Sequence, residues 1–276
     1  MVRLVDAGIV VIACGAGLLG PYPWAEFYWS LGLGFVCVLG PLLVAAAGLR
    51  WVFDRSGERL QGPRRRPALI SRELFETARA MFVVACLMAW PMTQYRLGYP
   101  TGLKWNLDEA GGLWVVVGLN LVVGILAIDA WTYLKHRLLH TKLLFRFHRH
   151  HHAFRDPTPF AGFAISPLEA VLTFWPLLLM CIPAANHWAP LYFTLVVAFV
   201  VLNLYLHSGV KLRWVEATLP RLFLNTSAFH NLHHARVDTN YGEVLFLWDV
   251  LLKTADQANP HHPRSGLGRH TARRQP

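Results

Sequence analysis

The sequence predicts an all-α protein, a polytopic bundle of membrane helices with a cytoplasmic, histidine-rich cap that has the ligands for two metal ions. Three observations lead to this fold class. Of the 276 residues, 54% are hydrophobic and only 15% are charged, whereas soluble domains carry about 25% charged residues. Several uncharged runs approach the roughly 20 residues that cross a bilayer as a helix. Histidines cluster at helical spacing beside these runs.

The apolar runs divide the chain into units. Residues 1–109 hold three runs and an arginine-rich loop, residues 110–258 hold three more, and residues 259–276 form a basic tail that is predicted to be disordered. The third run is short and ends near Pro91, so it either recruits the preceding turn from Leu74 or is a re-entrant segment. The candidate spans are residues 7–25, 31–49, 80–95, 110–128, 171–185 and 188–206.

The distribution of basic residues predicts the orientation of the chain. Lys and Arg outnumber Asp and Glu by 26 to 16 and gather in loops beside apolar runs. This placement is typical of cytoplasmic loops in membrane proteins and disfavours a nucleic-acid partner. With the loop over residues 50–72 inside, alternation of the spans places every histidine cluster on the cytoplasmic side.

Three histidine clusters have the spacing of metal ligands on helices. One is H-x-x-x-H and two are H-x-x-H-H, and residues three and four apart share a helix face. His150 lies off that face, and His187, His261, His262 and His270 are isolated, so we predict no metal role for them. The clustered residues are His136, His140, His148, His151, His152, His230, His233 and His234.

The number of imidazoles indicates the kind of site. Neutral imidazole binds zinc, copper, iron and nickel, and a closed structural zinc site needs only four ligands. The clusters therefore fit two ions with open positions for other molecules. The alternative is a metal-binding or metal-transporting membrane protein. A transporter places ionisable residues near the bilayer midplane, whereas these clusters follow the ends of apolar runs.

The order of the motifs resembles the fatty acid hydroxylase/sterol desaturase superfamily of membrane di-iron oxygenases. The similarity covers residues 129–254, about half of the chain, and the first hundred residues do not share it. It runs through D-x-x-x-Y-x-x-H-R-x-x-H from Asp129, H-x-x-H-H from His148, S-P-L-E from Ser166, H-S-G from His207, H-x-x-H-H from His230, N-Y-G from Asn240 and W-D from Trp248.

The resemblance implies a ligand set and its surroundings. The clustered histidines and His207 would bind two iron ions, with zinc as a possible substitute in a purified sample, and no further catalytic residue is implied. Asn203 occupies a position, four residues before His207, that suits a weak or water-mediated ligand. Asn231 stands where many relatives have Asp, which would remove a negative charge near the ligands. Asp129 orients a ligand imidazole or pairs with Lys135 or Arg137.

The resemblance also implies an activity. The chain would be a dioxygen-dependent oxidoreductase that hydroxylates or desaturates a lipid, such as an acyl chain, a sterol or an isoprenoid like a carotenoid. Iron suits this chemistry because it changes oxidation state, which zinc does not. The sequence has no flavin or nicotinamide fingerprint, so electrons would come from a separate reductase through a ferredoxin-like or cytochrome carrier.

Two groups of side chains have alternative interpretations. An acidic carrier would dock on a basic face, although the same residues also follow the positive-inside tendency; they are Arg146, Arg149, Arg155 and Lys211. A lipid would enter from the bilayer past aromatic side chains that are equally suited to ordinary packing; they are Trp131, Phe163, Phe174 and Trp175.

Overall fold

The computed structural model describes residues 1–61, 69–110 and 114–256, and these are mostly helical. Arg64, Arg65, Arg66 and the tail from residue 259, with its histidines, lie outside these ranges. The helices are α1 (Val2–Gly15), α2 (Trp24–Ser56), α3 (Ile70–Arg96), α4 (Trp114–Leu139), α5 (Phe145–His148), α6 (Pro167–Phe174), α7 (Ala189–Leu206), α8 (Arg213–Thr218), α9 (Ser227–Arg236) and α10 (Leu247–Leu251).

The remaining regular structure is short. Two-residue strands form two small ladders, in which β1 (Glu58–Arg59) pairs with β4 (Val210–Lys211) and β2 (Leu103–Lys104) pairs with β3 (His187–Trp188). The first ladder is antiparallel and the second is parallel. Short 3-10 segments occur at Ala16–Leu18, Pro159–Phe163, Trp175–Cys181, Pro183–Ala185 and Leu219–Leu222.

Four helices of the described chain are long and apolar enough to cross a membrane: α2, α3, α4 and α7. They correspond to four of the predicted spans. Helix α3 continues unbroken through Pro91 from Ile70 to Arg96. It includes the turn before the apolar run, and its length favours the spanning alternative over the re-entrant one. The long α2 likewise contains Pro41.

The other two predicted spans are not regular spanning helices. The run over residues 7–25 begins earlier, as α1, and ends as α-helix at Gly15, after which come glycines and two prolines. The run over residues 171–185 consists of α6 followed by 3-10 turns. Pro176 and Pro183 lack the backbone N–H that an α-helix needs at those positions, which explains the irregular path.

All six segments nevertheless connect the same two ends of the molecule. At one end, which we call the histidine end, Asp6 of α1 lies 3.8 Å from Arg79 in the first half of α3. At the same end, β1 after α2 pairs with β4 after α7, and the backbone N–H of Thr158 donates to Glu73 of α3.

Contacts at the opposite end join the other termini of these segments. The hydroxyl of Tyr28 donates to the carbonyl of Cys14, Arg96 at the end of α3 pairs with Glu26 at the start of α2, and Gln94 donates to the carbonyl of Cys181. The ladder of β2 and β3 lies here as well, and the ring centroid of Trp188 in β3 lies 5.3 Å from that of Trp114 at the start of α4. Each of the six segments therefore runs from one end of the bundle to the other.

The hydrophobic core of the bundle extends to the histidine end. Small residues of α3, such as Ala80 and Val83, pack against Leu42 and Ala46 of α2, and such residues let helices approach closely in a membrane. The same cluster includes Phe163 and Leu204. Packing of α2 and α3 thus supports the segment that follows His152 and the end of α7 that precedes His207.

A matched pair of glycines tests the packing of the N-terminal segment. A Cβ at Gly17 would lie 2.1 Å from the ring of Phe27, which is fully buried and packs on Trp90 with ring centroids 4.9 Å apart. We expect Gly17→Ala to destabilise the protein by about 1–3 kcal/mol through overpacking, measured as a lower Tm in detergent.

Gly8→Ala is the control, because nothing lies within 4 Å of a Cβ there and alanine is the better helix former. Its Tm should be unchanged or higher than that of the unmodified protein. Equal melting temperatures for the two variants would contradict the described contact of Gly17 with Phe27.

Candidate metal centre

The histidines that the sequence singles out converge at the histidine end. His136 lies in the last turn of α4 and His140 follows it, while α5 and the turn after it carry the second cluster. His207 caps the C-terminal end of α7. Helix α9 carries the last cluster and begins with Thr226, whose hydroxyl accepts from the N–H of Phe229 as an N-cap.

These side chains form two groups, each able to hold one ion. Within a group, the nitrogen atoms offered for binding all lie within 4.8 Å of one another. We call the first set the five-histidine group: His136, His140, His148, His152 and His233. We call the second the four-histidine group: His151, His207, His230 and His234. The two H-x-x-H-H motifs each contribute to both groups.

Ring nitrogens approach closely inside each group. In the five-histidine group, the Nε2 atoms of His136 and His148 are 3.1 Å apart. In the four-histidine group, the Nε2 atoms of His207 and His151 are 3.1 Å apart, and those of His207 and His230 are 2.9 Å apart. Two nitrogens that bind one ion at about 2.1 Å and at right angles would lie about 3.0 Å apart.

In several of these histidines a hydrogen bond holds the Nδ1 atom, so that the Nε2 atom faces the interior of the group. The Nδ1 atoms of His136, His207 and His233 lie 2.8, 2.9 and 2.7 Å from the carbonyl oxygens of Tyr241, Asn203 and Thr239. A carbonyl oxygen can only accept, so each Nδ1 carries the hydrogen. In a neutral imidazole the Nε2 atom then presents a lone pair.

His148 is oriented in the same way by a carboxylate. Its Nδ1 atom lies 2.8 Å from Oε2 of Glu169 and donates to it when that carboxyl is ionised, the form that the ammonium of Lys135 favours. The Nε2 atoms of His136 and His148 therefore face each other as lone pairs, which repel unless a cation lies among them. The buried Nε2 of His233 also has no hydrogen-bond partner within the described ranges. This donor set fits a metal ion in each group.

Burial keeps the imidazoles neutral. All of them are buried except His140, which is half-buried. Burial lowers the pKa of His207 and of His233 to about 4. Burial, reinforced by the neighbouring imidazoles, lowers the pKa of His151 and of His230 well below the ordinary value. At neutral pH these rings are therefore available as ligands, because a protonated imidazole cannot bind a metal.

The segment from residue 239 to 249 supplies carbonyl acceptors, and its fold depends on Asp249. The buried carboxylate of Asp249 accepts from the N–H groups of Tyr241 and Gly242 at 2.8 and 2.6 Å. A Cβ at Gly242 would lie 2.5 Å from the carbonyl oxygen of Leu245, so glycine is required there. The N-Y-G and W-D motifs thus position the acceptor for His136.

The structure corrects the prediction for Asp129. Its carboxylate accepts from the N–H of Leu245 at 3.1 Å and from the indole N–H of Trp248 at 2.8 Å. It therefore neither orients an imidazole directly nor pairs with Lys135 or Arg137. Asp129 anchors the 239–249 segment to α4, which is a function of tertiary structure that the spacing to His136 does not reveal.

The two asparagines have different environments. The carbonyl of Asn203 orients His207, and its side-chain Oδ1 is buried without a hydrogen-bond partner in the described chain. That oxygen is therefore free to accept from a water or ligand. Asn231 is half-buried, and its side chain lies 3.5 Å from the amide of Gln61. Gln61 is exposed, and no described hydrogen bond joins the Asn231 side chain to a ligand imidazole. The expected effect of Asn231 on the charge near the ligands stays a prediction.

The histidines without a predicted metal role lie apart from both groups where the structure describes them. His187 is in β3 at the opposite end. His150 is half-buried, and its nearest charged neighbours include Glu76 and Arg149.

A small cavity touches both groups and reaches towards the bundle. Its volume is about 30 Å³, which is room for a water-sized group. Phe163 and Phe174 contribute to its apolar wall and also pack in the core of the bundle. Trp131 instead packs edge-on against Trp175 and donates to the carbonyl of Leu172, so these tryptophans do not line it.

The cavity wall contains three charged residues that are not among the site residues predicted from the sequence. Lys135, Glu169 and Glu243 all contribute to this wall. The signal for Glu169 was present in S-P-L-E, which starts a helix: the hydroxyl of Ser166 accepts from the N–H of Glu169. The pairing of Lys135 with Glu243, at 2.7 Å, joins positions 108 residues apart and has no local sequence signal.

Metal binding by separate variants tests the division into two groups. We expect the purified protein, loaded anaerobically with Fe²⁺, to hold about two ions per chain, one for each group. His140→Ala and His234→Ala should each reduce this number towards about one, because each removes a ligand from a different group. Mass spectrometry of metals measures the content. His187→Ala is the control and should retain full occupancy; loss of both ions from each variant would contradict two separable sites.

Acid stability of the metal-free protein tests the burial of neutral imidazole. The pKa values of His207 and His233 in the folded chain are about 4, below the value of about 6.5 in an unfolded chain. Between these values the unfolded chain binds more protons, so the free energy of unfolding falls as pH decreases. Each such group contributes about 1 kcal/mol per pH unit.

Denaturant titrations of the metal-free protein at pH 7, 6 and 5 measure this slope. A double variant, His207→Gln with His233→Gln, should show a shallower dependence on pH. Equal stability of the unmodified protein across this range would contradict the burial of neutral rings.

Comparison with known proteins agrees with the motifs. Residues 121–254 match the family model described as fatty acid hydroxylase. The chain is 33% identical over 240 residues to lathosterol oxidase of Mus musculus, covering 83% of this chain and 77% of the mouse protein. No solved structure matches the chain.

Two fungal proteins are also similar. The chain is 26% and 29% identical to two Delta(7)-sterol 5(6)-desaturases of Gibberella zeae, covering 79% and 80% of this chain. It spans 64% and 59% of their lengths. On the family match, the similarity to the mouse protein and the order of the histidine motifs, the chain belongs to the fatty acid hydroxylase/sterol desaturase superfamily.

Proposed function

We propose that this protein is a membrane-bound, dioxygen-dependent oxidoreductase that hydroxylates or desaturates a lipid with a pair of iron ions. One observation carries the proposal: two adjacent groups of buried imidazoles converge at one end of a bundle of apolar helices. The similarity to proteins named lathosterol oxidase and sterol desaturase supports a lipid as substrate.

The residues of the two groups would hold one ion each through Nε2 atoms. When bound, the iron pair supplies the redox chemistry that activates dioxygen and removes hydrogen from an unactivated C–H bond. The protein orients the rings through Tyr241, Asn203, Thr239 and Glu169, which accept from Nδ1. Such partners of ligand imidazoles set their tautomer and raise their basicity.

The surroundings of the cavity would keep water away from the reaction. Phe163, Phe174 and Phe199 line its apolar side, and its small volume leaves little room for solvent. A lipid therefore requires movement of these side chains before its reacting carbon reaches the imidazole groups. The unpartnered Oδ1 of Asn203 offers an acceptor for a water or ligand inside this space.

The charge distribution supports a cytoplasmic position for the histidine end. Arg55, Arg72, Arg146 and Arg149 belong to this end, whereas the opposite end has Arg96 and Lys104 together with three acidic residues, Glu26, Asp108 and Glu109. Basic residues gather on the cytoplasmic side of membrane proteins. A separate carrier could then deliver electrons from the cytoplasm.

Part of the predicted basic face is available for such a carrier. Arg149 and Arg155 are exposed at the histidine end. Arg146 is half-buried over the ring of Phe147, and Lys211 lies 3.3 Å from Glu58. Docking of an acidic ferredoxin-like or cytochrome partner would therefore depend most on Arg149 and Arg155.

Lipid profiling of expressing cells tests the proposed activity. The unmodified protein should produce a lipid heavier by one oxygen or lighter by two hydrogens. His140→Ala, His151→Ala and His233→Ala should each abolish this product, because each removes a proposed ligand. Mass spectrometry of extracted lipids identifies the product and distinguishes hydroxylation from desaturation.

His187→Ala and His262→Ala are the controls and should retain the product. Full activity of any of the three ligand variants would count against the assignment. Metal flux in liposomes without oxygen consumption would favour the alternative of a metal transporter.

Labelling of single cysteines tests the orientation. In a variant without the native cysteines, Glu109→Cys should react with a membrane-impermeant maleimide in intact cells, whereas Arg149→Cys should react only after permeabilisation. Both positions are exposed at opposite ends of the bundle, so the comparison is matched. The reverse pattern would place the histidine end outside the cell.

A further inference from the structure

A lysine is buried beside the proposed metal ligands. Lys135 precedes His136 in α4 and is only 3% exposed. Its Nζ atom donates to Oε1 of Glu243 at 2.7 Å and to the hydroxyl of Thr173 at 3.0 Å. An ionisable residue buried in a membrane helix is costly to retain, and such residues usually mark a binding or transport site.

A contribution to the stability of the fold does not by itself explain why this lysine is buried. A buried ion pair often contributes no more than an apolar side chain of the same size, because both charges must leave water. The ammonium also lies next to His136, one of the proposed metal ligands. A metal cation bound there would repel the ammonium, because both are positively charged. Glu169, with Oε1 4.0 Å away, and Glu243 compensate this charge without removing its cost.

The position of the ammonium relates it to the cavity. Lys135, Thr173, Glu169 and Glu243 form a polar side of the cavity that touches both histidine groups. The opposite side is made of phenylalanine rings from the core and from α6 and α7. A lipid that enters this space meets the ring nitrogens, the ammonium and the apolar wall together.

The hydrogen-bonding capacity of this polar side is incomplete. An ammonium group has three N–H donors, and the acceptors of Lys135 in the described chain are Glu243 and Thr173. Thr173 accepts with its oxygen, so its own O–H hydrogen also remains to be donated. The polar side therefore offers donors to an oxygen atom that enters the cavity.

We propose that Lys135 is a specificity-determining residue that donates a hydrogen bond to an oxygen of the lipid substrate. The preferred substrates are then lipids with a hydroxyl or carbonyl oxygen within a few bonds of the carbon that reacts. Plain hydrocarbons and the middle of long acyl chains lack this oxygen and are poor substrates. This inference rests on the proposed function, because it names the substrate class of the same site.

Binding of matched lipids tests the inference without turnover. The full chain is loaded with zinc, which cannot support the oxidation, and binding of 5α-cholestan-3β-ol and of 5α-cholestane is measured by ligand-induced thermal stabilisation in detergent. The same comparison uses hexadecanol and hexadecane. The alcohols should bind to the unmodified protein more tightly than the hydrocarbons, which differ only by the missing oxygen.

Lys135→Met keeps most of the side-chain length and removes the charge. It should weaken binding of the alcohol by about 10-fold or more, as for loss of a hydrogen bond to a charged group, and leave binding of the hydrocarbon unchanged. Lys142→Met is the matched control, since Lys142 is exposed at the same end, and should bind as the unmodified protein does. Equal binding of alcohol and hydrocarbon by the unmodified protein would overturn the inference.

A second variant covers the case in which Lys135→Met does not fold. Thr173→Val keeps the side-chain shape and the ion pair of Lys135 with Glu243, and should lower the preference for the alcohol several-fold. If Lys135→Met lowers Tm but keeps the ratio of alcohol to hydrocarbon binding, the lysine is structural and the inference is wrong.

Oxidation by the iron-loaded protein separates this inference from the proposed function. Lys135→Met should raise KM for the alcohol more than it lowers kcat, because the lost contact acts in binding. Unchanged KM with normal oxidation would overturn the inference alone. Alcohol binding that depends on Lys135, in an iron-loaded and reduced protein that oxidises no lipid, would overturn the proposed function.

Discussion

The site depends on one constraint, which is that imidazole lone pairs must face one another in a space without water. Lone pairs about 3 Å apart repel, so the rings must be held from behind, and a cation among them relieves the repulsion. Backbone carbonyls of Tyr241, Asn203 and Thr239 and the carboxylate of Glu169 provide that support. The two histidine groups are therefore only as well defined as the loops and helix ends that carry these acceptors.

The surrounding fold can be understood as the means of holding those acceptors. Asp129 binds the indole of Trp248 and the N–H of Leu245, while Asp249 fixes the turn at Tyr241 and Gly242. The first carboxylate joins α4 to a segment more than 100 residues away in sequence, and the second holds the turn within that segment. The bundle of α2 and α3 supports the other side through Phe163 and Leu204. Rigid support of this kind is what a site needs to bind a metal pair and a lipid together.

The cavity beside the histidine groups has an apolar wall and a charged wall, and under the proposed function these walls would select the substrate. Phenylalanine side chains suit a lipid, and they lie opposite the ion pair of Lys135 and Glu243. If the proposed role of Lys135 holds, this ammonium binds an oxygen of the substrate, which a plain hydrocarbon chain lacks.

The sequence by itself determined the apolar spans that form long helices and the histidines that converge, because both depend on local spacing and composition. The spacing of the second H-x-x-H-H motif places its imidazoles on one helix, α9, whereas in the first motif His148 ends α5 and the other two histidines lie in the turn that follows. Only the tertiary structure decided which histidines share a group, that Asp129 binds Trp248 instead of an imidazole, and that Lys135 meets Glu243. It also decided that the first and fifth apolar runs are irregular, since prolines and packing override their hydrophobicity. These features join residues far apart in sequence, and their energies exist only once the helices have packed.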